Sequence, residues 1–223
     1  MPGDSIRRPS ARFEDPLWLF SRAITKLYTL WLSATYPFAS RGRNLSIQYP
    51  CLLSRRLAHR IKLGSSVTIR KDAWINILPE ASGDLNIVID DNCCVAARSI
   101  ISAKNHIHLE RDVILAPSVL IMDHNHAFQD VIRPIRDQGP TDGGTIRIGQ
   151  GCWIGHGAAI ISNKGELSLG HHCVVAANAV VTRSFPPNSV IFGNPARVVK
   201  QFDPVEQVWV LGSSRSMEPA RVK

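Results

Sequence analysis

The sequence predicts an all-β solenoid, a coil of short parallel strands stacked along one axis, in a chain of 223 residues. Three observations support this fold class. Aliphatic residues recur every six positions through most of the chain, and one long break interrupts this period. A basic segment with a helical pattern precedes the periodic part of the chain. A repeat this short cannot bury a core alone, so each coil depends on its neighbours in the stack.

The composition is that of an ordinary globular protein, with 44% apolar and 20% charged residues. No run of about 18 apolar residues is present, so a transmembrane helix is not expected, and the start MPGDSIRRPS does not read as a secretory signal. The five cysteines are odd in number and form no CxxC pair. A disulfide framework and a metal site are therefore not expected. The cysteine usage instead favours a cytoplasmic location.

The positive charge is concentrated at the start of the chain. Residues 1–62 hold eleven Lys/Arg and three Asp/Glu, whereas residues 63–223 hold fifteen of each, so the net charge of +8 belongs to a basic arm. Such an arm is the part of the chain expected to meet an anionic partner. It contains no recognition helix and no aromatic stacking motif of a nucleic-acid-binding module, so nucleic acid is not expected as that partner.

The arm is predicted to contain one amphipathic helix. Asp15 is a good N-cap, Pro16 a good first residue, and Pro37 a boundary. Apolar residues fall near one helical face: Leu17, Phe20, Ile24, Leu27 and Trp31. Polar residues fall near the other: Ser21, Arg22, Thr25, Lys26 and Thr29. Two interpretations follow: the helix packs on the body or on a neighbouring subunit, or residues 16–36 make a peripheral contact with the inner face of a membrane.

The body, residues 63–202, carries the six-residue period. The aliphatic positions are Leu63, Ile69, Ile75, Ile89, Val95, Ile101, Ile107, Leu115, Ile121, Ile148, Ile154, Ile160, Leu169, Val175 and Val181. A small or β-branched residue stands two positions before most of them, as in Val67, Ala73, Cys93, Ser99, Val113, Val119, Cys152, Ala158, Cys173 and Ala179. With three strands to a turn, these positions predict about five coils, followed by a tail at 203–223. A wound α/β sheet would need intervening helices, and a β-sandwich would show turn signals at longer spacing.

The break in the period predicts a functional loop at residues 122–145. Its sequence is rich in proline and glycine, and loops this long in a compact repeat usually carry function. Near its start lie Asp123, His124 and His126. An unperturbed histidine titrates at about pH 6.5, which suits it to accept a proton from a hydroxyl near neutral pH.

Three strings within residues 60–202 carry a resemblance to a known family. They are IMDHNHAF at 121–128, IGQGCWIGHGAAI at 148–160, and VVAANAVVTRSFPPNSVIFGNPARVVK at 174–200. Together with the six-residue period, they resemble the hexapeptide-repeat acyltransferases, most of all bacterial enzymes that O-acetylate sugars of capsule, exopolysaccharide or O-antigen. The resemblance implies a left-handed parallel β-helix, acetyl-CoA as the acyl donor, a sugar hydroxyl as the acceptor, and a homotrimer.

The resemblance also implies roles for individual residues. It points to His124 as the catalytic base, with His126 as second choice and Asp123 as a residue that could orient the imidazole. It places His156 near the thioester through its backbone N–H, Ala177 along the pantetheine arm, and Thr182 and Arg183 further along. Arg197 and Lys200 would neutralise coenzyme phosphates, and Trp153 would wall the groove or cover the next subunit.

The same scaffold is compatible with two other functions. The β-helical carbonic anhydrases use zinc histidines, two of them in an H-x4-H spacing, which this chain lacks. A non-catalytic β-helix that scaffolds a polysaccharide-synthesis complex remains the alternative to an enzyme. The acceptor itself, and the length of the acyl chain, cannot be read from the sequence.

Overall fold

A parallel β-helix follows an N-terminal helix in the computed structural model, which describes residues 16–211. The predicted fold class is confirmed, with six coils instead of about five. The additional coil lies at residues 40–53, inside the segment that the charge pattern assigns to the arm. The sequence period missed it because this coil supplies few of the regularly spaced aliphatic residues.

Three parallel sheets form the sides of the solenoid. Sheet A contains β1 (Ser40–Arg41), β4 (Ile61–Leu63), β7 (Ile87–Ile89), β10 (His106–Leu109), β13 (Gly143–Ile148) and β16 (Lys164–Leu169). Sheet B begins with β2 (Ser46–Ile47), β5 (Thr68–Ile69), β8 (Cys94–Val95), β11 (Ile114–Leu115), β14 (Trp153–Ile154) and β17 (Val174–Val175). Sheet C contains β3 (Leu52–Leu53), β6 (Trp74–Ile77), β9 (Ile100–Ala103), β12 (Leu120–Met122), β15 (Ala159–Ile161) and β18 (Val180–Val181).

Sheet B continues past the sixth coil. Strand β19 (Ser189–Phe192) pairs in parallel with β17, and β20 (Arg197–Asp203) and β21 (Val208–Leu211) follow as antiparallel strands. The first part of the predicted tail is therefore a strand hairpin, and residues 212–223 lie outside the described residues.

The predicted aliphatic positions form the interior of the solenoid. All fifteen are at most 2% exposed, and the small residues two positions earlier are buried beside them. One register differs from the prediction: Leu109, not Ile107, pairs with Ile89 and Ile148. The preceding strand, β9, extends to Ala103, which lengthens the interval between the repeats. Ile107 is also buried, two residue pairs before Leu109 in β10.

The corners show a second regularity that the sequence period did not reveal. The residue directly before each small buried residue has a positive φ at ten corners: Ser66, Asp72, Asn92, Arg98, Asp112, Ser118, Gly151, Gly157, His172 and Asn178. This left-handed conformation turns the chain tightly from one sheet to the next and is easiest for Gly, Asn and Asp. The small residue that follows fits the narrow space inside the corner.

Helix α1 (Pro16–Thr35) confirms the predicted helix, but its packing face differs from the apolar face expected. Thr29 exchanges hydrogen bonds with the backbone of Ile47, Tyr28 donates to the carbonyl of Cys51, and Leu32 is fully buried. The helix thus covers the open end of the first coil with its threonine-containing side. Phe20 and Leu27, on the opposite side, are 67% and 68% exposed. Asp15, the predicted cap, lies outside the described residues.

Candidate active site

Asp123 and His124 form a buried pair at the point where the chain leaves sheet C. Nδ1 of His124 lies 2.9 Å from Oδ1 of Asp123, and the two residues are 7% and 0% exposed. A carboxylate at Nδ1 favours the tautomer that carries its proton there, because that N–H donates to it. Nε2 is then the unprotonated nitrogen, which is the form that a base requires.

The Asp123 carboxylate is itself held by the preceding coil. The backbone N–H of Lys104 donates to Oδ1 at 2.7 Å, and that of Asn105 donates to Oδ2 at 2.9 Å. These donors occupy the turn between β9 and β10, one coil before the histidine. Two backbone N–H groups and an imidazole N–H together fix the orientation of this carboxylate.

Two glycines allow the loop to return beside this pair. Gly143 has a φ of +76°, and a Cβ atom there would lie 2.5 Å from the carbonyl oxygen of Asp123. At Gly144 a Cβ would lie 2.2 Å from Oγ of Ser162, and its N–H donates to the Asp123 carbonyl at 2.7 Å. Side chains at these positions would push the end of the loop away from its start.

The loop between β12 and β13, residues 123–142, folds back over the outside of the solenoid. Asn125 and Thr141 pair through their backbones, and His126 forms an isolated bridge with Pro140. His126 is exposed, unlike His124, and it forms no ion pair with a carboxylate of residues 16–211. The two candidate bases therefore stand in different surroundings.

A cavity of about 530 Å³ lies between the loop and the outer face of sheet C. Its sides include His124, His126 and the apolar residues Trp74, Ile100, Leu120 and Met122. Polar groups also line it: Asn76, Ser102, Glu80 and Arg136. A concave, mainly apolar space with a few polar groups beside a histidine is the usual form of a small-molecule site. The sequence period gave no sign of it, because its walls come from outward-facing positions.

The predicted site residues divide between two edges of the solenoid. Asp123, His124 and His126 lie at the corner between sheets C and A, as do Thr182 and Arg183 two coils later. His156 and Ala177 lie at the corner between sheets B and C, where the N–H of Asn178 donates to the carbonyl of His156. One protomer therefore does not bring its predicted base and its predicted thioester contact to the same corner.

The remaining predicted coenzyme residues lie on sheet B. Trp153 is half-exposed on β14, directly before the corner that holds His156. Arg197 and Lys200 lie on the added strand β20, where Nη1 of Arg197 donates to the carbonyl of Ala196. Arg183 instead stacks on Phe185, with its guanidinium carbon 5.2 Å from the ring centre.

The buried thiols of residues 16–211 differ in acidity, and a hydrogen bond with Cys152 lowers the pKa of Cys173. No group of three or more His, Cys, Asp or Glu side chains there could hold a metal ion. Burial raises the pKa of the Cys51 and Cys93 thiols to about 12, so neither ionises to a nucleophile near neutral pH. Among residues 16–211, no helix has both the length and the apolarity needed to span a bilayer.

Comparison with known sequences finds acetyltransferases. The chain is 28% identical over 169 residues to the Escherichia coli protein described as a lipopolysaccharide biosynthesis O-acetyl transferase, WbbJ, covering 73% of this chain and 82% of that protein. It is 26% identical to the galactoside O-acetyltransferase of Escherichia coli, over 74% of this chain and 65% of that protein. No family model matches the chain. These relatives confirm the resemblance drawn from the sequence motifs.

Comparison with solved structures supports the same fold. AntD, an N-acyltransferase from Bacillus cereus solved as a mutant with dTDP and coenzyme A, superimposes with a TM-score of 0.64 at 16% identity, covering 77% of this chain and 88% of that one. A hexapeptide-repeat acetyltransferase from Vibrio cholerae, VCA0836, solved with acetyl-CoA, gives 0.52 at 20% identity, covering 80% and 77%. At these identities the likeness establishes the architecture.

Proposed function

We propose that the protein transfers an acetyl group from acetyl-CoA to a hydroxyl of a sugar or polysaccharide precursor, with His124 as general base. The observation that carries this proposal is the buried Asp123–His124 pair on the wall of the cavity. The two sequence relatives, both named as O-acetyltransferases, agree with it.

The reaction needs a general base that removes the proton of the acceptor hydroxyl and a general acid that gives this proton to the leaving thiolate. Nε2 of His124 removes the acceptor hydroxyl proton as the oxygen attacks the thioester carbonyl carbon, forming a C–O bond. The tetrahedral intermediate then collapses, the C–S bond breaks, and the imidazolium returns the proton to the departing thiolate of coenzyme A. Asp123 stabilises the imidazolium between these steps because its carboxylate remains ionised beside Nδ1.

A homotrimer is part of the proposal, because the corner that holds His124 and the corner that holds His156 must come together around one donor. His124 and His156 lie at different corners of one protomer, so a donor that touches both has to lie between two copies of the chain. Three copies around a common axis give three equivalent sites of this kind. In each, one protomer would supply His124 and its neighbour would supply His156, Ala177 and Trp153 for the coenzyme arm.

Peripheral membrane contact through residues 16–36, at the cytoplasmic face, is the further part of the proposal. Phe20, Leu27 and Trp31 are each more than half exposed on the side of α1 that faces away from the solenoid. Residues 16–71 contain ten Lys/Arg and no Asp/Glu. An apolar helix face within a cationic surface suits an anionic bilayer, whereas the same charge opposes head-to-head pairing of two such ends.

Sedimentation with lipid vesicles tests the membrane contact. The full chain is expected to bind vesicles that contain phosphatidylglycerol and to bind phosphatidylcholine vesicles weakly. Phe20→Glu with Leu27→Glu should abolish that binding, while Val205→Glu, at a still more exposed apolar residue at the other end of the molecule, should not. Equal binding by both variants would assign the helix face to another protein surface.

An acceptor panel tests the activity itself. Acetyl-CoA is offered with nucleotide sugars, free glycosides, amino sugars and glycans, and products are read by their mass increase and their sensitivity to mild base, which cleaves esters and leaves amides. The proposal expects a base-labile product. No turnover with any acceptor, together with no binding of acetyl-CoA, would favour the non-catalytic scaffold.

A further inference from the structure

The wall of the cavity opposite the loop carries a tryptophan that the predicted chemistry does not use. Trp74 begins β6 on sheet C, points outward, and is 43% exposed. A half-exposed indole is informative where it belongs to a contiguous apolar surface, since such surfaces mark ligand-binding grooves and interaction sites. It lines the same cavity as His124.

The residues between Trp74 and His124 form a continuous apolar surface. Trp74 pairs with Ile100, and Ile100 pairs with Leu120, so the three side chains stand in one column on consecutive strands. Parallel strands are about 4.8 Å apart, so this column is roughly 10 Å long. It runs from the coil that holds the base towards the coil that α1 covers.

A short polar row accompanies the apolar column. Asn76 pairs with Ser102, and Nδ2 of Asn76 donates to Oγ of Ser102 at 2.9 Å. The pair retains an acceptor, Oδ1 of Asn76, and two donors, the second N–H of the Asn76 amide and the Ser102 hydroxyl. Glu80 and Arg136 stand at the exposed rim of the cavity with opposite charges. A ligand there meets an apolar floor on one side and hydrogen-bonding groups on the other.

We propose that Trp74 is the platform for the acceptor sugar, with the apolar face of a pyranose ring on the indole and the sugar hydroxyls directed to Asn76 and Ser102. A sugar ring has this division, since its C–H groups gather on one face and its hydroxyls project from the edge. The remainder of the acceptor then extends towards the N-terminal end of the solenoid. This inference rests on the proposed function and specifies the residue that selects its acceptor.

Kinetics with separated substrates tests the platform. Trp74→Ala is expected to raise the KM of the acceptor found in the panel by about 10–100-fold, the range for losing one apolar contact in a pocket. The KM of acetyl-CoA should stay unchanged, and Trp74→Phe should restore most of the acceptor affinity. Leu52→Ala is the matched control, because Leu52 precedes Trp74 in the same column but lies outside the cavity.

Two kinetic outcomes would overturn the inference. An unchanged acceptor KM in Trp74→Ala would mean that the sugar binds elsewhere, and a raised KM for acetyl-CoA, or altered acyl-chain preference, would assign Trp74 to the donor. Light scattering on the same variants shows whether the column is instead a subunit contact, since Trp74→Ala and Leu52→Ala would then both dissociate the assembly.

A binding measurement on the unmodified sequence covers variants that fail to fold. In protein labelled with 5-fluorotryptophan, the fluorine signal of Trp74 is assigned by its absence in Trp74→Phe. Methyl β-D-galactopyranoside should shift that signal, and coenzyme A should not. A shift with coenzyme A alone would contradict the inference. This result does not depend on turnover, so it stays separate from a failure of His124 to act as the base.

Discussion

At the residue scale, the proposed chemistry depends on the pairing of Asp123 with His124. Sequence neighbours often point apart, yet here the carboxylate lies on the Nδ1 side of the imidazole and both groups are buried. The reason is the backbone of another coil: Lys104 and Asn105 bind the carboxylate from the adjacent turn. The stack of coils thus orients the histidine through its neighbour.

Asp123→Asn tests this orienting role. The amide keeps the size of the side chain but can donate to Nδ1, which favours the wrong tautomer and leaves the imidazolium without a counter-charge. We expect kcat to fall by about 10²–10⁴-fold, the usual contribution of the base that it supports. The KM of acetyl-CoA should hardly change. Wild-type turnover in the variant would reduce Asp123 to a structural residue of the turn.

The candidate base was predictable from sequence, and most of its surroundings were not. His124 lies at the break in the six-residue period and within a sequence motif of the family that the chain resembles. The donors from Lys104 and Asn105 come from another coil and act through the backbone, so no side-chain pattern announces them. Trp74 was likewise missed, because the six-residue period identifies inward positions and says little about which outward positions share a cavity.

At the scale of elements, the aliphatic period predicted the strands. The left-handed corner residues explain why the strands recur at a regular spacing. The arm helix was predicted correctly, whereas its packing face was not, because helical periodicity shows an apolar face without showing what covers it. Thr25 and Thr29 lie on the side next to the first coil, where Thr29 satisfies the backbone of Ile47. A β-strand at the end of a solenoid has unpaired backbone groups at its edge. A threonine hydroxyl can form hydrogen bonds with these groups, so it suits the packing face of the covering helix as well as an alkyl side chain does.

An ion pair across two coils gives the stack a predictable acid sensitivity. Glu110 follows β10 and accepts hydrogen bonds from Arg147 and from the backbone N–H of Gln150, in the next coil. Burial alone would raise the pKa of this carboxyl, but these donors outweigh it and the pKa is lowered. The stabilisation is therefore present above the unfolded pKa of about 4.3 and is lost as the pH falls through the folded value.

Glu110→Gln should lower the free energy of unfolding at pH 7 by less than about 1 kcal/mol, as for other partly exposed pairs. The difference from wild type should disappear on acidification, since protonated Glu110 and glutamine are then alike in charge. Urea unfolding between pH 7 and pH 3 measures it, with Glu166→Gln, an exposed carboxylate of sheet A, as control. A difference that persists at pH 3 would attribute the loss to packing.

At the scale of the whole molecule, one side of the solenoid separates His124 from His156, so the proposed function predicts that catalysis needs assembly. Light scattering at micromolar concentration should give three times the chain mass of 24.6 kDa. Mixing His124→Ala with a variant damaged at the coenzyme edge, such as Trp153→Ala, should restore part of the activity, because mixed trimers contain some intact interfaces. A stable, active monomer would contradict the shared site.

The central claim is that His124 removes the acceptor proton, and the most direct test is acetyl transfer by His124→Ala beside His126→Ala. We expect His124→Ala to lower kcat by about 10²–10⁴-fold, with acetyl-CoA binding and the trimer unchanged, because the loop lies outside the stacked coils. His126→Ala should cost far less, since its exposed imidazole lacks the carboxylate partner that His124 has. An inactive His126→Ala with an active His124→Ala, or small and equal losses in both, would contradict the account.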